Sequence, residues 1–239
     1  MLAFPPPGDS NGDVPVQPLH PGSAMTDQPL LAATDGDPAW IGSHPRIQRV
    51  PNRDLTLFIQ RDFLSANECA GLIDRIDAHR RPATIADANG DGYFRTSETC
   101  DLDHGDPFVT AINERLDAFA GIATIHGEPI QGQRYDVGQE FKAHTDYFDP
   151  KGADYAKYCS VGGNRTWTLM IYLDAPPAGG ATRFTKIGKT VQPETGKLLA
   201  WNNRTPSGQP NPASIHHGMK VRAGIKHVIT KWYRERPWG

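Results

Sequence analysis

Cysteine is scarce in this chain: Cys69, Cys100 and Cys159 are the only three among 239 residues. An odd number with no C-x-x-C spacing argues against a disulfide framework or a thiolate zinc site, and points to reduced thiols in a cytoplasmic setting. Long apolar runs are also missing, and none approaches the roughly 20 residues that span a bilayer. The first ten residues, MLAFPPPGDS, hold neither the basic nor the apolar region of a signal peptide. Charge of one sign is not in excess. Lys and Arg number 25 against 27 Asp and Glu, and the net charge of −2 gives no argument for nucleic acid or an anionic membrane. A soluble protein with no nucleic-acid or membrane partner is expected.

Proline, by contrast, is plentiful and unevenly placed. Residues 1–45 hold nine of the 21, with Gly, Asp and Ser and no periodicity. Such a composition buries too little surface to offset the entropy of ordering, so residues 1–45 are expected to be a flexible leader and 46–239 the folded domain. The domain opens with the apolar run Leu55–Ile59. Ser65-Ala-Asn-Glu68 is a capping box for a helix with Cys69, Leu72, Ile73 and Ile76 on one face. A second helix is expected from about Pro107 to Phe119. Short strands then follow at Ile130–Tyr135, Glu140–His144, Thr166–Leu173, Lys197–Trp201, Ser214–Val221 and Lys226–Tyr233, separated by Gly, Pro and Asn. Two helices followed by many short strands indicate an α+β fold with a sandwich or barrel core.

Within these strands, Phe141-Lys-Ala-His144-Thr-Asp146 carries the strongest local signal. Residues two apart on a strand project from one face, so His144 and Asp146 can approach one metal ion. Alone, an H-x-D is common and is more often a hydrogen-bonded surface pair. A second histidine from a later strand would complete two imidazoles and a carboxylate, the ligand set of non-haem Fe(II) oxygenases. His216 and His217 are adjacent, and on a strand only one of them can face such a site.

The wider pattern resembles the prolyl 4-hydroxylase branch of the Fe(II)/2-oxoglutarate-dependent oxygenases. The matching pieces occur in family order: Arg95-Thr-Ser97, Tyr135 before the H-x-D, Arg165-Thr-Trp-Thr-Leu-Met-Ile-Tyr-Leu173, Gly179-Gly-Ala-Thr-Arg-Phe184, Gly196-Lys-Leu-Leu-Ala-Trp201, and Ser214-Ile-His-His-Gly218 with Val221, Gly224 and Lys226. The resemblance implies a double-stranded β-helix, a jelly-roll or cupin-like barrel, with supporting helices. It implies Fe(II) held by the catalytic triad His144, Asp146 and His216, with His217 turned to the other face. It implies 2-oxoglutarate and O2 as co-substrates, Lys226, Tyr135 and Thr182 around the distal carboxylate, and ascorbate as a reductant. Phe141, Arg165 and Trp232 match positions that line the family's peptide site, although Phe141 and Trp232 read equally well as core aromatics. The implied reaction is hydroxylation of prolyl residues in a peptide or protein, with succinate and CO2 as co-products. The alternatives are hydroxylation of a free amino acid or other small molecule, a non-catalytic metal-binding module, and, ranked last, a zinc hydrolase. His217, Lys220 and His227 depart from the family pattern at the mouth of the expected site.

Three other signals are discounted. Asp87-Ala-Asn-Gly-Asp-Gly92 with Glu98 fits a Ca2+-loop pattern, but Pro82 ends the preceding helix early and no helix begins at Glu98, so a turn is expected. Asp101-Leu-Asp-His104 reads as solvated loop. Lys220, Arg222, Lys231, Arg234 and Arg236 read as a basic solvent face, able at most to guide an acidic protein partner.

Overall fold

The computed structural model of the chain describes residues 37–83 and 95–238. In chain order the elements are α1 (Pro38–Ser43), β1 (Gln48–Arg49), β2 (Leu57–Gln60), α2 (Ala66–His79), β3 (Arg81–Pro82), β4 (Glu98–Asp101), α3 (Pro107–Ala120), β5 (Gln131–Tyr135), β6 (Phe141–His144) and α4 (Tyr155–Cys159). Then come β7 (Arg165–Tyr172), β8 (Ala178–Gly179), β9 (Thr182–Phe184), β10 (Lys189–Val191), β11 (Leu198–Asn202), β12 (His216–Gly218), β13 (Val221–Ala223) and β14 (Lys226–Arg234). One sheet runs β1-β2-β11-β7-β14-β5-β4-β3, a second β10-β9-β12-β6, and β13 pairs with β8. The pairings are antiparallel.

Side-chain alternation gives the large sheet two buried faces. On β7, Trp167, Leu169 and Ile171 join Ile229 and Tyr233 of β14 and Leu198 and Ala200 of β11 under α2 and α3. The residues of opposite parity, Met170, Tyr172, Leu199, Trp201 and Val228, meet Phe184 and Val191 from the second sheet. The result is a two-sheet barrel backed by helices, the double-stranded β-helix architecture. The helices begin where capping chemistry directs. Glu68 Oε2 accepts from the Ser65 backbone N–H at 2.8 Å, and Asp106 caps α3 before Pro107. Gly121 ends α3 in the left-handed region, at φ 67°.

Helix α2 lies on β5 at Gly132, where an added Cβ would collide with the inner part of the buried Ile76 side chain. Gly132→Ala is therefore expected to lower stability by about 1–3 kcal/mol through overpacking. Urea unfolding would check it, and an unchanged midpoint would contradict the close approach.

Several expectations need correction. The folded region begins before residue 45: Asp37 and Pro38 start α1, whose Ile41 is buried against the main core. Residues 1–36 lie outside the described residues, as does most of Asp87–Glu98; Glu98 itself opens β4 and pairs with Arg80 at 2.8 Å. In the Arg95-Thr-Ser97 motif, Arg95 pairs only as an isolated bridge to Phe141, and the regular strand starts at Glu98. The run Ser214–Val221 is broken after Gly218, so β12 and β13 belong to different sheets. Lys231 and Arg234 are not a solvent face; both are 1% exposed. Lys231 Nζ donates to Asn113 Oδ1 and the Glu128 carbonyl, and Arg234 pairs with Glu128 at 2.6 Å. Asp103 and His104 are exposed, as expected.

Candidate active site

Antiparallel pairing of β6 with β12 sets His144 directly opposite His216, and Asp146 follows two residues after His144. One ligand atom from each of the three residues lies within 4.8 Å of the others. His144 Nε2 is 3.7 Å from Asp146 Oδ1, and the imidazole centroids are 4.3 Å apart. Each ring is oriented by its own chain. Nδ1 of His144 is 2.7 Å from the Lys142 carbonyl, and Nδ1 of His216 is 3.0 Å from the Ser214 carbonyl. A carbonyl can only accept, so in neutral rings Nδ1 carries the proton and Nε2 keeps its lone pair for the cluster. Burial and the neighbouring His216 press the His144 pKa down to about 3, which keeps it neutral. For Asp146, burial alone would raise the pKa. The imidazoles, Arg165 and the Thr168 hydroxyl outweigh it and hold the group below the usual range. A neutral His144 and an ionised Asp146 match the protonation states a divalent metal requires of such ligands.

His217 turns away, as strand alternation dictates, and its Nε2 is 2.9 Å from Glu140 Oε2. Phe141 stacks on the His144 ring with centroids 3.5 Å apart and lies under the Arg95 guanidinium.

The cluster faces a small chamber of about 30 Å³ that Lys226 also lines. Lys226 opens β14 opposite Tyr135, is 2% exposed, and has its Nζ 4.9 Å from the centre of the Tyr135 ring and 5.4 Å from that of Tyr172. Among the described residues no carboxylate lies within 4.0 Å of its Nζ; burial pushes its pKa down to about 8, against a weaker opposing pull from Asp174. A buried ammonium without a counter-ion is costly, and an anion entering the chamber removes that cost. Thr182 Oγ1 accepts from the Tyr172 hydroxyl at 2.6 Å, and the Tyr135 hydroxyl donates to Gln133 Oε1 at 2.7 Å. The donor set and the buried cation on one chamber fit a metal chelated by a dianion.

Outside the chamber a cleft of about 630 Å³ shares Phe141, His144, Asp146 and Trp232 with it. Arg165 forms part of its wall. The guanidinium makes a two-point contact with Glu128 at 2.7 and 2.8 Å, stacks 3.8 Å from the centre of the Trp232 ring, and turns Nη1 toward the Asp146 carbonyl at 3.4 Å. Trp232 is 7% exposed, and its indole N–H has no partner among the described residues.

The comparisons fall on these same elements. A sequence model described as the 2OG-Fe(II) oxygenase superfamily matches residues 130–234, from the start of β5 to the end of β14. Prolyl 4-hydroxylase 1 of Arabidopsis thaliana is 30% identical over 230 residues, covering 88% of this chain and 76% of that protein. The chain belongs to the 2OG-Fe(II) oxygenase superfamily. Probable prolyl 4-hydroxylase 10 of the same plant is 30% identical over 200 residues, covering 74% of this chain and 68% of that one. The crystal structure of the viral collagen prolyl hydroxylase from Paramecium Bursaria Chlorella virus-1, a 2OG complex, superimposes with a TM-score of 0.58 and 26% identity, over 74% of this chain and 94% of that chain. Fe(II) and 2-oxoglutarate are thus the cofactor and co-substrate of this oxygenase.

Sequence reading missed Thr168, Asn203, Glu128 and Gln133, all buried and all bonded to groups at the site. Thr168 and Gln133 share strand parity with inward residues of β7 and β5, a signal that was available. Glu128 and Asn203 lie outside strands and carry none.

Proposed function

We propose that the protein is an Fe(II)- and 2-oxoglutarate-dependent dioxygenase that hydroxylates prolyl residues in a peptide or protein. His144, Asp146 and His216 hold the metal. Lys226 anchors the distal carboxylate of the co-substrate, with Tyr135 and Thr182 beside it. The observation that carries this reading is the meeting of three ligand atoms and one unpaired buried ammonium on a single chamber. The prolyl substrate class rests on the names of the relatives. A peptide is favoured over a free amino acid because Phe141, His144, Asp146 and Trp232 line both the chamber and an adjoining cleft of about 630 Å³, which offers room for residues flanking the target. Phe141 and Trp232 line both chamber and cleft, and Arg165 lines the cleft beside them.

Bound Fe(II) and 2-oxoglutarate supply oxidative decarboxylation, which yields succinate and CO2 and drives insertion of one oxygen of O2 into a C–H bond. The chain's own residues bind, orient and keep water out. The two backbone carbonyls fix the imidazole tautomers, the apolar wall of Met170, Trp201 and Val228 dries the chamber, and Trp232 with Arg165 closes the substrate side. The state of the three cysteines suits a reducing compartment. Cys69, Cys100 and Cys159 are free, buried thiols whose pKa values burial raises, Cys69 to about 11. No described helix is long and apolar enough to cross a membrane.

Co-substrate affinity should depend on pH in a set direction. Anion binding favours the charged form of Lys226 and raises its pKa from the value near 8. Below that value the ammonium is already charged and affinity is flat; above it, binding must take up a proton. Affinity for 2-oxoglutarate is then expected to fall by up to about tenfold per pH unit. Calorimetric titration of the Mn(II)-loaded protein from neutral pH to about pH 9 would check this; a flat affinity would contradict it. The function itself is tested by incubating the Fe(II)-loaded protein with proline-containing peptides and measuring succinate together with oxygen gain on proline.

A further inference from the structure

We propose that Thr168 and Asn203 are positioning residues that aim the Asp146 carboxylate through a one-way chain of hydrogen bonds. The inference rests on the metal-site reading above. Thr168 lies on β7 with its side chain on the inward face, and Asn203 follows β11, the neighbouring strand. Both are fully buried. The Asn203 amide Nδ2 donates to Thr168 Oγ1 at 2.8 Å, and that hydroxyl donates to Asp146 Oδ2 at 2.7 Å.

A hydroxyl has one proton. With Asn203 holding a Thr168 lone pair, the proton has one direction left, toward Asp146. The reversed amide would place Oδ1 against Thr168 and take that proton, leaving Asp146 Oδ2 facing lone pairs. The orientation that serves Asp146 leaves Asn203 Oδ1 buried with no partner among the described residues, although an orphaned buried carbonyl is unfavourable. Saturating the polar groups of this region does not explain that choice; aiming the carboxylate does. With Oδ2 held, Oδ1, the oxygen 3.7 Å from His144 Nε2, is the one turned into the cluster. A carboxylate that offers one oxygen leaves coordination positions open for the co-substrate and O2, whereas a freely turning one can offer both.

The test is an anaerobic Co(II) titration of the purified full chain, read by visible absorption, with thermal unfolding of the metal-free protein as a folding control. Thr168→Val keeps the shape and removes the proton. It is expected to weaken Co(II) binding about 10- to 100-fold and to change the absorption band, as loss of an outer partner does elsewhere. Thr168→Ser is expected to restore both. Asn203→Leu, which frees the Thr168 proton to turn away, is expected to weaken binding in the same direction and decides the matter if Thr168→Val does not fold. Wild-type affinity and spectrum in Thr168→Val, or in Asn203→Leu, would overturn the inference while leaving the triad intact. Equal Co(II) binding by wild type and His216→Ala would instead overturn the metal-site reading, and the inference with it.

Discussion

Replacing Lys226 with methionine is expected to raise the KM for 2-oxoglutarate by about 10²- to 10⁴-fold, because truncating one partner of a buried charge pair costs about 3–5 kcal/mol. In the free protein the ammonium is 2% exposed and has no carboxylate within 4.0 Å among the described residues. The structure thus holds the cation ready and the incoming anion completes it. The same fact predicts an opposite sign for stability. Methionine fills a similar volume and removes an unpaired buried charge, so the co-substrate-free variant should melt no lower than wild type. A mutation that stabilises the resting protein and cripples co-substrate use cannot be explained as misfolding. Succinate formation at varied 2-oxoglutarate, beside a thermal melt, reads both. An unchanged KM would place the distal carboxylate elsewhere.

His216→Ala is expected to abolish turnover, by about 10³-fold or more, since several kcal/mol of ligand binding are lost and each 1.36 kcal/mol is tenfold in rate. The loss should appear first as failure to retain metal. His216 also packs edge-on against Trp201, with ring centroids 4.9 Å apart, so some stability falls with it. Co(II) binding in the folded variant separates the two effects. The contrast with Lys226→Met, which should keep its metal, separates metal binding from co-substrate anchoring.

Much of this architecture was readable from local pattern. The alternation of Trp167, Leu169 and Ile171 with Thr168, Met170 and Tyr172 announces a strand buried on both faces, and β14 repeats it. Adjacent histidines pose a question that strand alternation alone leaves open; the family resemblance points to His216, and β6–β12 pairing puts it across from His144 while His217 meets Glu140. What could not be read is what depends on distant partners. Lys231 and Arg234 look like a basic surface until Asp117 and Glu128, more than a hundred residues earlier, are folded against them. Thr168 and Asn203 look like ordinary polar residues until Asp146 is placed beside them. Helix α1 was hidden by its proline-rich surroundings, although Asp37-Pro38 is a helix start in itself.

The most direct test of the account is a coupled assay on the Fe(II)-loaded protein with a proline-containing peptide and 2-oxoglutarate. Succinate and hydroxylated proline should form together in equal amounts, and both should vanish in His216→Ala. Succinate production that persists in that variant, or a peptide that gains no oxygen while the co-substrate is consumed, would contradict it.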